Sequence, residues 1–155
     1  MVENWRRLIG SAFVDAKFYA PASTQEIEHA ERELGVEFPT ELRELLLETN
    51  GASAHYSAPF VWPVEEIVEQ NRQFRGNKSF KELYMPFNDL LFFGAEGNGD
   101  QFAYRILNGR IPDPSIYEWD HETDARTWFA SNLRDYFKRS APPLSFMDRL
   151  RARFT

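Results

Sequence analysis

The densest group of potentially reactive side chains in this 155-residue chain lies at residues 120–124, which read Asp-His-Glu-Thr-Asp. An imidazole beside a carboxylate is the arrangement of a general base and the group that orients it, so His121 could act as the base and Asp120 could orient it. A hydrolase also needs a nucleophile or a device that stabilises an oxyanion, and the sequence places neither beside this cluster. Hydrolysis at residues 120–124 is therefore an alternative that we keep but do not favour.

The same residues have a structural interpretation, because an amphipathic pattern follows them. The pattern predicts a long helix that ends at Ala141-Pro142-Pro143 and has an inward face made of Ala125, Trp128, Phe129, Leu133, Tyr136 and Phe137. Asp120, Thr123 or Asp124 would cap this helix. Glu122 and Asp124 would lie near the positive end of its dipole. On this interpretation the cluster starts a helix and performs no chemistry.

Other catalytic, metal and cofactor motifs are missing from the sequence. The chain has no cysteine, which excludes thiol catalysis and thiolate metal sites, and its three histidines do not have the paired spacing of a zinc site. The glycine-rich segment 94–100 has the wrong order for a phosphate loop, and Glu96 and Asp100 would repel phosphate. It also lacks the calcium-loop pattern, so we interpret it as a hairpin turn around Asn98-Gly99. We therefore predict a non-enzyme with no catalytic residue, metal or cofactor.

Composition predicts one folded domain without a membrane segment. Hydrophobic residues make up 43% of the chain and aromatic residues 15%, enough for a substantial core. No apolar run reaches the length of about 18 residues that a membrane span requires, and the first residues do not resemble a signal peptide. We therefore expect a cytoplasmic protein that does not bind membranes.

Charge is unevenly distributed within the net charge of −6. Residues 138–155 contain five basic residues and one acidic residue, whereas residues 26–69 contain eleven glutamates and only two arginines. A glutamate-rich helix face is often only a solvated surface. The alternative is a surface that repels nucleic acid and attracts a basic protein partner. The residues that we assign to such a surface are Glu41, Glu44, Glu48, Glu65, Glu66 and Glu69.

Helix signals are strongest in the first half of the chain. A short helix is predicted around Trp5, and helices at 24–34 and 39–49 follow a capping box at Ser23. Gly35 suits the left-handed residue that closes the first of these two helices, Pro39 suits the first turn of the second, and Gly51 follows its end. A further helix is predicted from Pro63 to Phe74, followed by a polar loop at residues 75–79.

Strand signals dominate the second half. Residues 60–62 look strand-like, 90–93 form a continuous apolar run, 102–106 alternate as a strand with one buried face, and 116–119 form a further strand. Helices and strands in this mixed order predict an α+β fold. We expect residues 1–140 to form the domain and residues 141–155 to form a basic segment, a short helix that docks on the domain or frays.

Four blocks in this order resemble the SUKH superfamily, also called the Smi/Knr-type family. The first is AERELGVEFPTELRELLLETNG, ending at Gly51. The second is the strand, glycine turn and strand from Phe92 to Tyr104. The third is IYEWDHETD, and the fourth is the aromatic segment at Trp128 and Phe129. Together the blocks cover roughly residues 23–138.

The resemblance implies a twisted, mostly antiparallel sheet packed against helices and no catalytic activity. Bacterial members commonly act as immunity proteins that neutralise a toxin made by the same cell, so the expected partner is a cognate toxin, for example a nuclease. A regulatory or scaffolding adaptor is the alternative. The positions that match the family signature are read as structural, and they are Gly35, Pro39, Gly51, Gly97, Gly99 and Trp119. Oligomeric state and the role of the basic segment stay open.

Overall fold

Most helices of this fold precede its main antiparallel sheet, and a further helix follows it. A computed structural model describes residues 4–54, 60–96 and 99–141. Within those residues the helices are α1 (Trp5–Ala12), α2 (Thr24–Leu34), α3 (Thr40–Glu48), α4 (Val64–Gly76), α5 (Lys78–Leu83) and α6 (Leu133–Ser140). The strands are β1 (Lys17–Phe18), β2 (Ala52–Ser53), β3 (Leu90–Ala95), β4 (Gln101–Arg105), β5 (Ile116–Trp119) and β6 (Arg126–Ala130). The predicted α+β class with an antiparallel sheet is confirmed as one domain.

Helices α2 and α3 begin and end where the sequence predicts. The capping box at the start of α2 is formed in both directions between Ser23 and Glu26. Gly35 ends α2 with a φ of 70°, in the left-handed region, and its N–H donates to the Glu31 carbonyl. The buried Glu31 carboxylate accepts hydrogen bonds from the Phe38 amide at 2.7 Å and from Arg43 at 2.6 Å. This contact joins α2, the connector and α3.

The four-stranded sheet is antiparallel, with neighbours in chain order from β3 to β6. Helix α4 packs against β3 and α6 packs against β6. We predicted β4 as a strand with one buried face, but Phe102, Ala103 and Tyr104 are all buried. Successive side chains of a strand point to opposite faces, so this inner strand is covered on both.

Strand β3 lies at one edge of this sheet, and groups from outside the sheet satisfy its outward-facing backbone. The buried Asn71 amide accepts from the Phe92 N–H at 2.9 Å and donates to the Phe92 carbonyl at 2.8 Å. A bulge leaves Phe93 without a partner in β4, and its carbonyl accepts from the Trp62 N–H at 2.8 Å. Arg75 donates to the Leu90 carbonyl. Edge strands need such cover because exposed backbone groups invite pairing with other chains.

The predicted polar loop at residues 75–79 is wrong. Helix α4 continues to Gly76, and α5 begins at Lys78. Asn77 separates them, because its backbone N–H caps α4 while its side chain accepts from the Ser79 and Phe80 amides. One capping asparagine thus replaces a loop.

The predicted long helix after residue 124 is also wrong. Residues Arg126–Ala130 form β6, and only Leu133–Ser140 are helical. Three consecutive residues from Thr127 are β-branched or aromatic, which favours a strand, and the spacing of the apolar residues suggested the wrong period. The helix is capped instead by Asn132, whose side chain accepts from the Asp135 amide.

The remaining features differ in how far the sequence predicted them. Around residues 60–62 there is no full strand, but Val61 forms an isolated bridge with Ala52. The pair β1 and β2 was not predicted. The basic segment lies outside the described residues from 142 onward, so its predicted boundary and helix stay predictions. Among the described residues, no helix has the length and apolar character needed to cross a membrane.

The sealed edge of β3 predicts a large effect of replacing Asn71. In Asn71→Leu the Phe92 N–H and carbonyl lose their partners in a buried site, so we expect the free energy of unfolding to fall by about 3 kcal/mol. Urea denaturation measures this change. The exposed Asn88 supplies the control, and Asn88→Leu should change stability by less than about 0.5 kcal/mol. Equal stability of the two variants would contradict the assigned role of Asn71.

Candidate functional site

Helix α3 carries three of the six predicted partner-binding glutamates, and two of them are occupied within the protein. The Glu41 carboxylate accepts from the Leu133 amide, the first residue of α6, at 3.2 Å and from the Tyr104 hydroxyl at 3.0 Å. The Glu48 carboxylate accepts from the Trp5 and Arg6 amides, the first residues of α1, both at 3.0 Å. Amides at a helix start have no acceptor in their own helix. The Glu41 and Glu48 carboxylates therefore hold the starts of α6 and α1, and these contacts compete with binding to a partner.

The Glu41 carboxyl and the Tyr104 hydroxyl that donates to it both have raised pKa values. Burial raises the pKa of Glu41 above its usual value, and hydrogen bonds from Leu133 and Tyr104 oppose this effect. Burial and the nearby Glu41 carboxylate raise the pKa of Tyr104 well above its usual value. The pair is thus a buried contact between α3, β4 and α6.

Helix α4 carries the other three predicted glutamates. Glu65 accepts from the Asn50 amide at 3.3 Å, and the Asn50 side chain also accepts from the Val64 amide, which links the end of α3 to the start of α4. Glu69 accepts from Gln73 one turn later. The structure therefore brings Glu65 to the end of α3, near the helix that carries the first three glutamates.

The other acidic residues of the 26–69 region differ in whether their side chains form hydrogen bonds or ion pairs. Glu26 and Glu31 form the contacts described above, and Glu33 pairs with Arg72. Four glutamates have no side-chain hydrogen bond or ion pair with any other described residue, and these are Glu28, Glu37, Glu44 and Glu66. Only Glu44 and Glu66 belong to the predicted set.

Glu28 and Glu37, which sequence reasoning missed as candidates, line a cleft. The cleft has a volume of about 1090 Å³ and lies between the α2–α3 connector and residues 109–114. Arg32 and Arg110 also line it. The acidic run was the sequence signal for Glu28 and Glu37. The sequence does not show that residues 109–114 lie across the cleft from them.

His121 does not pair with Asp120 as the catalytic interpretation required. Its Nδ1 lies 2.8 Å from Asp100 Oδ1, and this hydrogen bond raises the pKa of His121 above its usual value. The Asp120 carboxylate accepts instead from the Glu122 and Thr123 amides within the turn. The imidazole is therefore oriented by the β3–β4 hairpin.

Glu96, Asp100, Glu118, Asp120 and His121 form an acidic cluster at the end of the sheet. Ligand atoms of Glu96, Asp100 and Glu118 lie within 4.8 Å of one another, as do those of Asp100, Asp120 and His121. Burial, followed by the proximity of Glu96, raises the pKa of Glu118 to about 7. Oxygen ligands at this spacing suit a hard divalent cation. Acidic groups at a hairpin end also arise without one, so the cluster by itself assigns no metal.

The predicted helix caps at Asp120, Thr123 and Asp124 belong to the β5–β6 turn, because no helix starts there. Asp124 has a left-handed φ of 63°, and its carboxylate accepts from the Trp119 indole at 2.8 Å and from the Met85 amide at 2.9 Å. Burial raises the pKa of Asp124, but these hydrogen bonds and the nearby Arg126 bring it below its usual value. Trp119 is thereby fixed in the aromatic core.

Two glycines of the predicted signature, Gly51 and Gly99, lie close to atoms of other segments. A Cβ on Gly51, where φ is 93°, would come within 2.9 Å of the Val61 carbonyl oxygen. A Cβ on Gly99 would come within 3.1 Å of the His121 ring. Gly94, which the sequence alone did not single out, is tighter, because its Cβ would lie 2.1 Å from the Phe60 carbonyl oxygen. Gly97 lies outside the described residues, and Pro39 directly precedes α3.

Comparison with known families agrees with this arrangement. The model of the SUKH_6 family, described as SMI1-KNR4 cell-wall, matches residues 24–137. The chain belongs to this SMI1-KNR4 family. The match runs from the first residue of α2 into α6, and so includes the α2–α3 pair and the whole four-stranded sheet. A search of curated proteins found no match.

Membership of this family is consistent with an immunity or regulator role, and the family is generally non-enzymatic. The resemblance that the four sequence blocks suggested is confirmed. The assignment of the six glutamates to a partner-binding surface stays a prediction. Two of them hold helix starts, two accept hydrogen bonds from other side chains, and two have no side-chain partner among the described residues.

The raised pKa of Glu118 predicts a specific pH dependence of stability. The folded protein binds a proton at Glu118 more tightly than the unfolded chain does, so stability should fall as pH rises from about 4.5 to about 7. Glu118→Gln removes this titration, and its stability relative to the unsubstituted protein should rise across that interval. Urea denaturation at a series of pH values measures the difference.

Glu82→Gln is the matched control, because it removes an exposed carboxylate elsewhere. Its difference from the unsubstituted protein should not vary in the same way. His121 contributes a decline in the same direction at higher pH, so the comparison between variants is the informative quantity. A constant difference for Glu118→Gln would contradict the prediction.

Proposed function

We propose that this protein is an immunity protein that binds and neutralises a cognate toxin through the acidic surface of α3 and α4. Membership of the SMI1-KNR4 family is the observation that supports this proposal most directly. The surface consists of the predicted glutamates that remain available, which are Glu44, Glu65, Glu66 and Glu69.

Charge supports an electrostatic form of recognition. Residues 26–69 combine eleven glutamates with two arginines, and one of these, Arg43, is paired with Glu31. Glu44 and Glu66 have no side-chain partner among the described residues. A toxin that cleaves nucleic acid presents a basic groove, and carboxylates can take the place of phosphates there.

A regulatory or scaffolding adaptor is the second candidate, and the cell-wall description of the family favours it. Both candidates are binding proteins, so their difference lies in the partner. An immunity protein should rescue the growth of cells that express the toxin encoded beside its gene. An adaptor should bind a cellular protein and have no effect on such growth.

Hydrolysis at residues 120–124 is less favoured by the geometry. Asp120 accepts from amides of its own turn, Asp124 accepts from the Trp119 indole and the distant Met85 amide, and His121 is held by Asp100. His121→Ala that keeps its fold and still neutralises the toxin would count against a catalytic role.

The electrostatic proposal predicts a slower association after charge reversal. In Glu44→Lys/Glu66→Lys, the rate constant for association with the toxin should fall about tenfold or more at low salt, and the difference should shrink at high salt. Surface plasmon resonance with the product of the adjacent toxin gene measures this rate.

Glu82→Lys/Glu122→Lys changes the net charge equally, and both of its glutamates are exposed. This control should slow association much less. If both double variants slow association equally, only net charge matters. If neither does, toxin recognition does not use the surface of α3 and α4.

A further inference from the structure

A small pocket with aromatic walls lies where α4, α5 and residues 84–88 meet. Its volume is about 310 Å³. The walls include Phe74, Phe80, Tyr84 and Phe87, whose rings contact one another with centroid distances of 5.1 to 5.8 Å for neighbouring pairs. This size and lining match the lower end of pockets that bind small molecules.

The charged groups of this pocket are all cationic. Arg75 and Lys81 line it, and no aspartate or glutamate does. The protein as a whole is acidic, with a net charge of −6, so the pocket differs in sign from the net charge of the chain. Met85, which also lines the pocket, is 58% exposed, so the pocket has an apolar side chain at its solvent side.

Arg75 has no anionic partner among the described residues. Its two Nη atoms donate to the Leu34 carbonyl at 3.0 Å and to the Leu90 carbonyl at 3.2 Å, and its buried Nε has no acceptor within the described part of the chain. Burial lowers the pKa of Arg75, whereas the Glu31 carboxylate raises the pKa of Arg43. A partly buried guanidinium without a carboxylate is more strongly stabilised by an external anion than a paired one.

Lys81 adds a second cation at the same place. It lies on the exposed side of α5, and the described residues offer it no ion pair. Two cations beside an aromatic cavity favour a ligand that combines a flat apolar body with a negative group.

We propose that this pocket binds a small aromatic carboxylate, with the ring against the half-buried Phe80 and Tyr84 and the carboxylate toward Arg75 and Lys81. This site is separate from the glutamates of the proposed function, and its test does not depend on a toxin. The ring supplies apolar contact and the carboxylate supplies charge-assisted hydrogen bonds.

Titration of the full ¹⁵N-labelled protein with 3-phenylpropionate tests the proposal. We expect amide shifts concentrated at residues 74–88 and a Kd on the order of a millimolar. The uncharged 3-phenylpropanol should bind at least about fivefold more weakly, because it lacks the carboxylate. Equal affinity for the acid and the alcohol, or shifts concentrated elsewhere, would overturn the proposal.

Lys81→Glu and its neighbour Lys78→Glu form a matched pair on α5, since Lys78 does not line the pocket. Lys81→Glu should raise the Kd for 3-phenylpropionate at least about fivefold, and Lys78→Glu should change it less than twofold. Lys81 is preferred to Arg75 because replacing Arg75 would also release the carbonyls of Leu34 and Leu90. An unchanged Kd in Lys81→Glu, or an equal change in both variants, would show that the pocket does not select carboxylates.

Discussion

The fold depends on amides at helix starts that receive acceptors from another helix. Glu41 and Glu48, seven positions apart on α3, accept from the first residues of α6 and α1 respectively. Each carboxylate satisfies amides that have no acceptor in their own helix and lies at the positive end of a helix dipole. The Glu31–Arg43 contact joins α2 to the same helix. One short helix therefore positions three others through carboxylates, in addition to its buried leucines.

This use of carboxylates changes what the acidic composition means for function. The eleven glutamates between residues 26 and 69 do not form a surface of eleven available charges. Several of them cap helices, form ion pairs or accept hydrogen bonds from backbone amides. Glu41 and Glu48 would give up structural hydrogen bonds if they turned toward a partner. The proposed recognition by charge therefore relies on a smaller set, in which Glu44 and Glu66 have no side-chain partner among the described residues. The sequence cannot separate these groups, since a capping glutamate and a free one have the same side chain.

Local signals in the sequence predicted the parts of the fold that local interactions determine. Helices α2 and α3 follow from Ser23, Gly35 and Pro39, whose effects extend over one turn. Strand β6 was missed because its apolar spacing suggested a helical period, and because the turn that pairs it with β5 is held from outside the hairpin by the Met85 amide, which donates to Asp124. The pairing of His121 with Asp100 was missed for the same reason, since the two residues come from different hairpins. Contacts between distant segments decide these features, and no periodicity records them.

The residues that maintain the fold are different from those that can vary with a partner. Gly51 and Gly94 lie so close to neighbouring backbone that a Cβ would force that backbone to move, and the Trp119 indole is fixed by Asp124 within an aromatic core. A change at these positions alters the fold before it alters a surface. Exposed side chains on α3 and α4 and around the pocket beside α5 carry no such constraint. Members of one family can therefore share this framework and bind different partners, because specificity is determined by side chains whose replacement leaves the core intact.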